Sequence, residues 1–289
     1  MKKRVSLKLD ILSVITMKLA LNGATTMKAD LATDIRAAQS AGFDFVEIWA
    51  AKLRKFLLTN SVSDLRRLFD ESGVEPLSIN SIEHVTFRKP DDYAGIKAEC
   101  EELSSLASQL RCPYIVVVPG KLPLAAPQHE ELVEGSVRVL RELASIAEGH
   151  GVGLAFEFLG QPDCSVQTLS LAHKIVTQVD RANVGLVIDS FHFYAGGSSV
   201  DMISALNPDR LFIFHINDAE DLPREHLLDS HRLLPGLGVL PLKEILLALK
   251  DINYDRTASV EIFRPEYWEW DPFVLASKAF NSTKNLLGE

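Results

Sequence analysis

Glu157, Asp189, His192, His215 and Glu261 stand in segments that otherwise carry no charge: "LAFEFL", "LVIDSFHF", "IFHIN" and "SVEIF". Carboxylates and imidazoles are the side chains that hold divalent cations and move protons near neutral pH. An ionised carboxylate buried among apolar residues costs several kcal/mol unless it is paired or metal-bound. Two chemistries therefore compete, a divalent-metal centre and a buried ion-pair network. These segments contain no Lys or Arg to serve such a network, which favours the metal. Taken alone, "GLVIDSFHFYAGG" (185–197) also reads as an element cap at Asp189 followed by a packed core histidine. What tips the balance is the company of Glu157, His215 and Glu261.

The elements that must position these residues alternate from Met17 onward. Strand-like runs are "KLALNG" (18–23), "FDFVEIW" (43–49), "EPLSIN" (75–80), "YIVVVPG" (114–120), "GLAFEFLG" (153–160), "VGLVIDS" (184–190), "LFIFHIND" (211–218) and "ASVEIF" (258–263). Helical spacing fills the intervals, in "KADLATDIRAAQSAG", in "SVSDLRRLFDESGV", and at about 92–110, 130–150, 166–179, 199–206, 241–251 and 272–287. Continuous apolar, β-branched strands are buried on both faces, as in parallel sheets. Eight strand–helix pairs in a chain of 289 residues predict a (β/α)8 TIM barrel spanning 17–289 as one domain. A doubly wound sheet is the runner-up, but "LNGATT" after the first strand lacks the glycine spacing of a dinucleotide loop. In a barrel the C-terminal strand ends share one mouth, and strands five to eight deliver Glu157, Asp189, His215 and Glu261 there.

Composition narrows the class further. At 47% hydrophobic residues the chain can bury a large core, and a net charge of −9 argues against nucleic acid as a partner. Three cysteines, Cys100, Cys112 and Cys164, have no CxxC spacing, which speaks against a disulfide framework and fits a reducing cytoplasm. The basic start "MKKRVSLKLDILSVIT" resembles a signal peptide, but Lys8 and Asp10 interrupt its apolar part. Residues 1–16 therefore read as an extension outside the fold, and no run is long enough for a membrane span.

The pattern Glu157, Asp189-x-x-His192, His215, Glu261 resembles the xylose-isomerase-like barrels of the sugar phosphate isomerase/epimerase superfamily. The longer strings "FEFLGQPDCSV", "NVGLVIDSFHFYAGGS", "FHINDAEDLP", "HRLLPGLG" and "SVEIFRPEYW" are more specific and look like the inosose isomerase family. That resemblance runs from Met17 to the C-terminus and is strongest over about 150–268. It implies one divalent cation (Mn, Zn, Co or Mg) on Glu157, Asp189, His215 and Glu261, with Glu157 and Glu261 as acid and base around an enediolate. It implies a substrate-facing His192 and a substrate-binding Arg232, the latter just before "LPGLG". Asn80 is a third expected substrate contact, and Glu47, Glu83 and His84 are further candidates for the mouth. Trp268 and Trp270 suit a pocket wall or a subunit interface equally, and a homo-oligomer is compatible with the sequence.

The expected partner is a small polyol or sugar, foremost 2-keto-myo-inositol. A ketohexose 3-epimerase shares this chemistry. A 3-dehydroshikimate-type dehydratase would need basic residues for a carboxylate, and only Arg232 and Arg264 are in view. A DNA-repair endonuclease would need further histidines where this chain reads "EIWAAK" and "VVVPGK". A non-catalytic carbohydrate-binding barrel would have no use for four metal ligands.

Overall fold

The computed structural model describes residues 16–124 and 128–288. The extension read at residues 1–16 lies, apart from Thr16, outside them. Eight parallel strands close a barrel: β1 (Lys18–Asn22), β2 (Phe45–Trp49), β3 (Glu75–Ile82), β4 (Tyr114–Val117), β5 (Gly153–Glu157), β6 (Val184–Asp189), β7 (Leu211–Ile216) and β8 (Thr257–Val260). Each strand pairs with its sequence neighbours, and β1 pairs with β8 to complete the ring. The predicted TIM barrel is the fold.

Several of the helices outside the ring begin where short polar side chains accept backbone N–H groups. Asp30 caps α1 (Leu31–Ala41), and a Ser61/Asp64 capping box starts α3 (Val62–Ser72). The remaining helices are α2 (Ala50–Leu57), α4 (Pro90–Leu110), α5 (His129–Glu148), α6 (Leu169–Val179), α7 (Ser190–Ala195), α8 (Leu242–Asp251) and α9 (Pro272–Leu287). Sequence periodicity misses α2 and α7. Helix α2 follows β2 with no turn residue and no side-chain cap on Trp49, and α7 has only six residues. The helix expected at 199–206 is a 3-10 turn, Val200–Ala205.

Strand pleating sorts the side chains into two apolar layers. One lies between strands and helices and includes Val46, Ile48, Phe156, Ile188 and Phe214. The other fills the barrel with Ala20, Leu77, Val116, Ala155, Val187 and Ile213. Two residues further along their strands, on the same inward face, come Asn22, Glu157, Asp189 and His215. Apolar side chains thus plug the barrel from below, and polar ones emerge at its C-terminal end.

Between β7 and α8 the chain folds back over the mouth. A two-residue ribbon, Asp218–Ala219 against Arg232–Leu233, carries this return. Asp218 anchors it: Oδ1 accepts the N–H groups of Ala219 and Leu240, and Oδ2 those of Gly236 and Gly238, all at 2.9–3.0 Å. "LPGLG" is accordingly a turn wound around one buried carboxylate.

Candidate metal centre

Glu157 ends β5, Asp189 ends β6, His215 is the penultimate residue of β7, and Glu261 follows β8 directly. One donor atom from each lies within 4.8 Å of all the others. His215 Nδ1 is 3.0 Å from Glu157 Oε1 and 3.4 Å from Glu261 Oε2. Two ligands each about 2.1 Å from one ion, at 90–109° to each other, stand about 3.0–3.4 Å apart. The donor set therefore fits one divalent cation, with Nδ1 as the imidazole ligand. Charge points the same way: Glu47, Glu157, Asp189 and Glu261 are all buried, against a single buried guanidinium, Arg232.

That arginine overturns the expectation that no cation serves a buried network. Arg232 is fully buried and arrives from the two-residue ribbon between β7 and α8, not from a barrel strand. Its Nη1 donates to Asp189 Oδ2 (2.8 Å) and Glu261 Oε2 (3.1 Å). Its Nε and Nη2 bind Asp229 Oδ1 at 3.1 and 2.7 Å, and Asp229 in turn accepts from Gln161 (3.0 Å). The planar group sits between the rings of Phe191 and Phe263, 4.8 and 5.1 Å from their centroids. A surface arginine is excluded.

The two glutamates meet different surroundings. Glu261 Oε1 accepts the amides of Asn22 (3.0 Å) and Asn80 (2.8 Å). Burial pushes its carboxyl up, but His215 and Arg232 outweigh burial and hold it below the usual range. Glu157 has the His215 ring as its hydrogen-bond partner, and burial, reinforced by repulsion from Glu261 and Asp189, pushes it up to about 7. His215 is raised well above the ordinary histidine range: burial opposes the charge, but Glu261, Glu47 and Glu157 prevail. These are the proton affinities of the protein without a cation.

Asp189 is the helix cap that the sequence offered and also one of the four clustered donors. Its Oδ1 caps α7 by accepting His192 N–H (2.8 Å), while Oδ2 takes Asn217 Nδ2 (2.8 Å) and Arg232. His192 Nε2 lies 3.0 Å from Arg232 Nη2 and must accept from it, so the ring is neutral with its proton on Nδ1. Burial, with Arg232 beside it, lowers its proton affinity. That buried Nδ1–H has no protein partner and remains a donor for another molecule. Asn80 is at the site with its amide on Glu261, whereas Glu83 and His84 are largely exposed and contact each other. Glu47 lies beneath His215. Arg264 pairs with Glu220 (2.7 Å), and Trp268 Nε1 donates to Ala24 O (3.0 Å) across the β1 and β8 loops.

Asn22, Asn217 and Asp229 are site residues that the sequence reading missed. The first two continue the inward face of β1 and β7 by one period-2 step, a signal present in "KLALN" and "IFHIN". Asp229 offered none.

An eight-stranded barrel with this centre at its C-terminal mouth defines a class. The chain belongs to the xylose isomerase-like TIM-barrel family, whose sequence profile matches residues 35–284. Within it the chain falls in the inosose isomerase family. It is 38% identical over 255 residues to the inosose isomerase of Bacillus velezensis, covering 88% of this chain and 91% of that one. The Bacillus subtilis inosose isomerase is 39% identical over 258 residues, with the same coverages. Among solved structures, the IOLI protein with a binding zinc atom superposes with a TM-score of 0.91 at 36% identity, covering 94% of this chain and 98% of the other.

Proposed function

We propose that this chain is a divalent-metal-dependent isomerase of a cyclic ketopolyol, with 2-keto-myo-inositol as its substrate. The observation that carries the reading is the cluster of Glu157, Asp189, His215 and Glu261, four donors within 4.8 Å at one barrel mouth. The likeness to inosose isomerases supplies the substrate, and the zinc of the IOLI protein supplies a precedent for the ion. Three buried, unpaired cysteines suit a reducing compartment, and the cytoplasm is the proposed location.

Isomerisation moves one proton from the carbinol carbon beside the carbonyl to the carbonyl carbon, while a hydroxyl proton passes between the two oxygens. Substrate electrons are only rearranged, so no oxidant or reductant is consumed. A bound divalent cation supplies a Lewis acid for the two neighbouring oxygens. Glu261, held ionised by Asn22, Asn80 and Arg232, is the base, and Glu157, with the higher proton affinity, is the acid. The free Nδ1–H of His192 binds a substrate oxygen, Arg232 binds another by exchanging one of its contacts to Asp189, Glu261 or Asp229 for it, and Asn80 aligns Glu261 from the same rim.

The test is incubation of metal-loaded protein with inososes and ketohexoses in D2O, followed by NMR. Conversion of 2-keto-myo-inositol to 1-keto-D-chiro-inositol with deuterium at the α-carbon is the expected result. Loss of water from a keto acid would make the protein a dehydratase, turnover of ketohexoses alone an epimerase. No turnover of any of them would leave a binding protein.

A further inference from the structure

Glu47 sits in the middle of β2, fully buried, on the far side of the His215 ring from the metal-ligand cluster. A carboxylate in that place needs an account, because burial alone works against it. Its Oε1 lies 2.9 Å from His215 Nε2, while the opposite ring nitrogen, Nδ1, faces Glu157 and Glu261. The oxygen stands off the N–H axis, so the contact is ionic and not an aligned hydrogen bond. Glu47 itself is held from two strands: Asn22 Nδ2 donates to Oε1 (3.1 Å) and Ser78 Oγ donates to Oε2. A register irregularity brings Ser78 opposite Glu47, since Val46 pairs with Pro76 and Glu47 with Ser78. Bulges re-aim side chains in this way.

We infer that Glu47 is the positioning residue of the metal centre, keeping the proton of His215 on Nε2 so that the Nδ1 lone pair faces the cation. Imidazole ligands owe their tautomer and orientation to what the second nitrogen meets. Asn22 ties this arrangement to the rest of the site, because the same amide nitrogen also donates to Glu261 Oε1 at 3.0 Å. The inference rests on the metal-centre reading above.

Glu47→Gln keeps the shape but removes the charge, and Glu47→Ala removes both. Zn2+ titrations of the full chain should show affinity reduced about 10- to 100-fold in the variants, the usual cost of losing such a partner. On zinc-loaded protein labelled with 15N-histidine, the His215 Nε2–H signal should be present in the wild type. It should shift and exchange faster with water in both variants. Circular dichroism of the metal-free proteins checks folding, and Glu47→Gln serves if Glu47→Ala fails to fold. Wild-type zinc affinity together with an unchanged His215 ring signal in Glu47→Gln would overturn the inference and leave the metal centre standing. A wild-type chain that binds no zinc would overturn both.

Discussion

Arg232 Nη1 lies 2.8 Å from Asp189 Oδ2, and neither side chain reaches solvent. The contact joins the loop after β7 to the end of β6, some forty residues apart in the chain. Asp229 on one edge and two phenyl faces leave the guanidinium little freedom to turn. Its direction is fixed by the protein alone, so it would not have to be ordered at a cost if it serves the proposed substrate.

Metal content is the first expected outcome. Purified protein should carry about one divalent ion per chain, and His215→Ala should lose it, as read by elemental analysis. Full turnover after exhaustive chelation would contradict the whole reading.

Metal affinity should depend on pH in a definite direction. Glu157 titrates near 7 without the cation, so below that pH an incoming ion must displace its proton. Raised proton affinity at His215 adds in the same sense. Affinity should therefore rise from pH 6 to pH 8, by at most about tenfold per pH unit for each proton displaced. Mn2+ titrations followed by electron paramagnetic resonance measure this, and a flat profile would count against it.

Arg232→Lys keeps a positive charge but loses the planar fork. One lost charge-assisted hydrogen bond is worth roughly 1.5–3 kcal/mol, so kcat/KM should fall about 10- to 150-fold with the metal retained. Wild-type kinetics in this variant would remove Arg232 from substrate binding.

Asp218→Ala would strand four backbone N–H groups in the loop over the mouth. A loss of at least about 2 kcal/mol is expected, or roughly 4–8 °C in Tm by thermal denaturation. Gly238→Ala should act on the same loop, since an added Cβ would meet Ala219 O at 2.1 Å. Both changes should also lower kcat/KM, because Arg232 lies in the ribbon opposite Ala219.

The strands were legible because burial on both faces leaves long apolar runs, and the clustered donors because a lone acid or histidine interrupts each of four such runs. The end of β4 was overread: "YIVVVPG" looks like one strand, but the strand ends at Val117, Val118 makes the last backbone bonds to the β3 side, and Pro119 has no N–H to donate. Arg232 and Asp229 show where local pattern ends. Their roles follow from a loop folding across a mouth built by distant strands, and no periodicity records which loop lands on which carboxylate. For Asp189 the cap and ligand readings were posed as rivals. The structure shows the cap through Oδ1 and leaves the ligand reading open to Oδ2, which accepts from Asn217 and Arg232 while lying within the candidate donor cluster.

The four candidate ligands come from β5, β6, β7 and the residue after β8, while Asn22 and Asn80, which hold Glu261, and Glu47, which contacts His215 and is held by Ser78, come from β1 to β3. A chain severed after Gly151 would thus part the grip from the grasped. A cation on the four candidate ligands would sit wholly on the second fragment and would favour reassembly by fixing Glu261 and His215 where Asn22, Asn80 and Glu47 meet them. Fragments ending at Gly151 and starting at Val152 should reassemble more tightly with zinc present than with a chelator, which would turn the barrel into a split reporter of free metal.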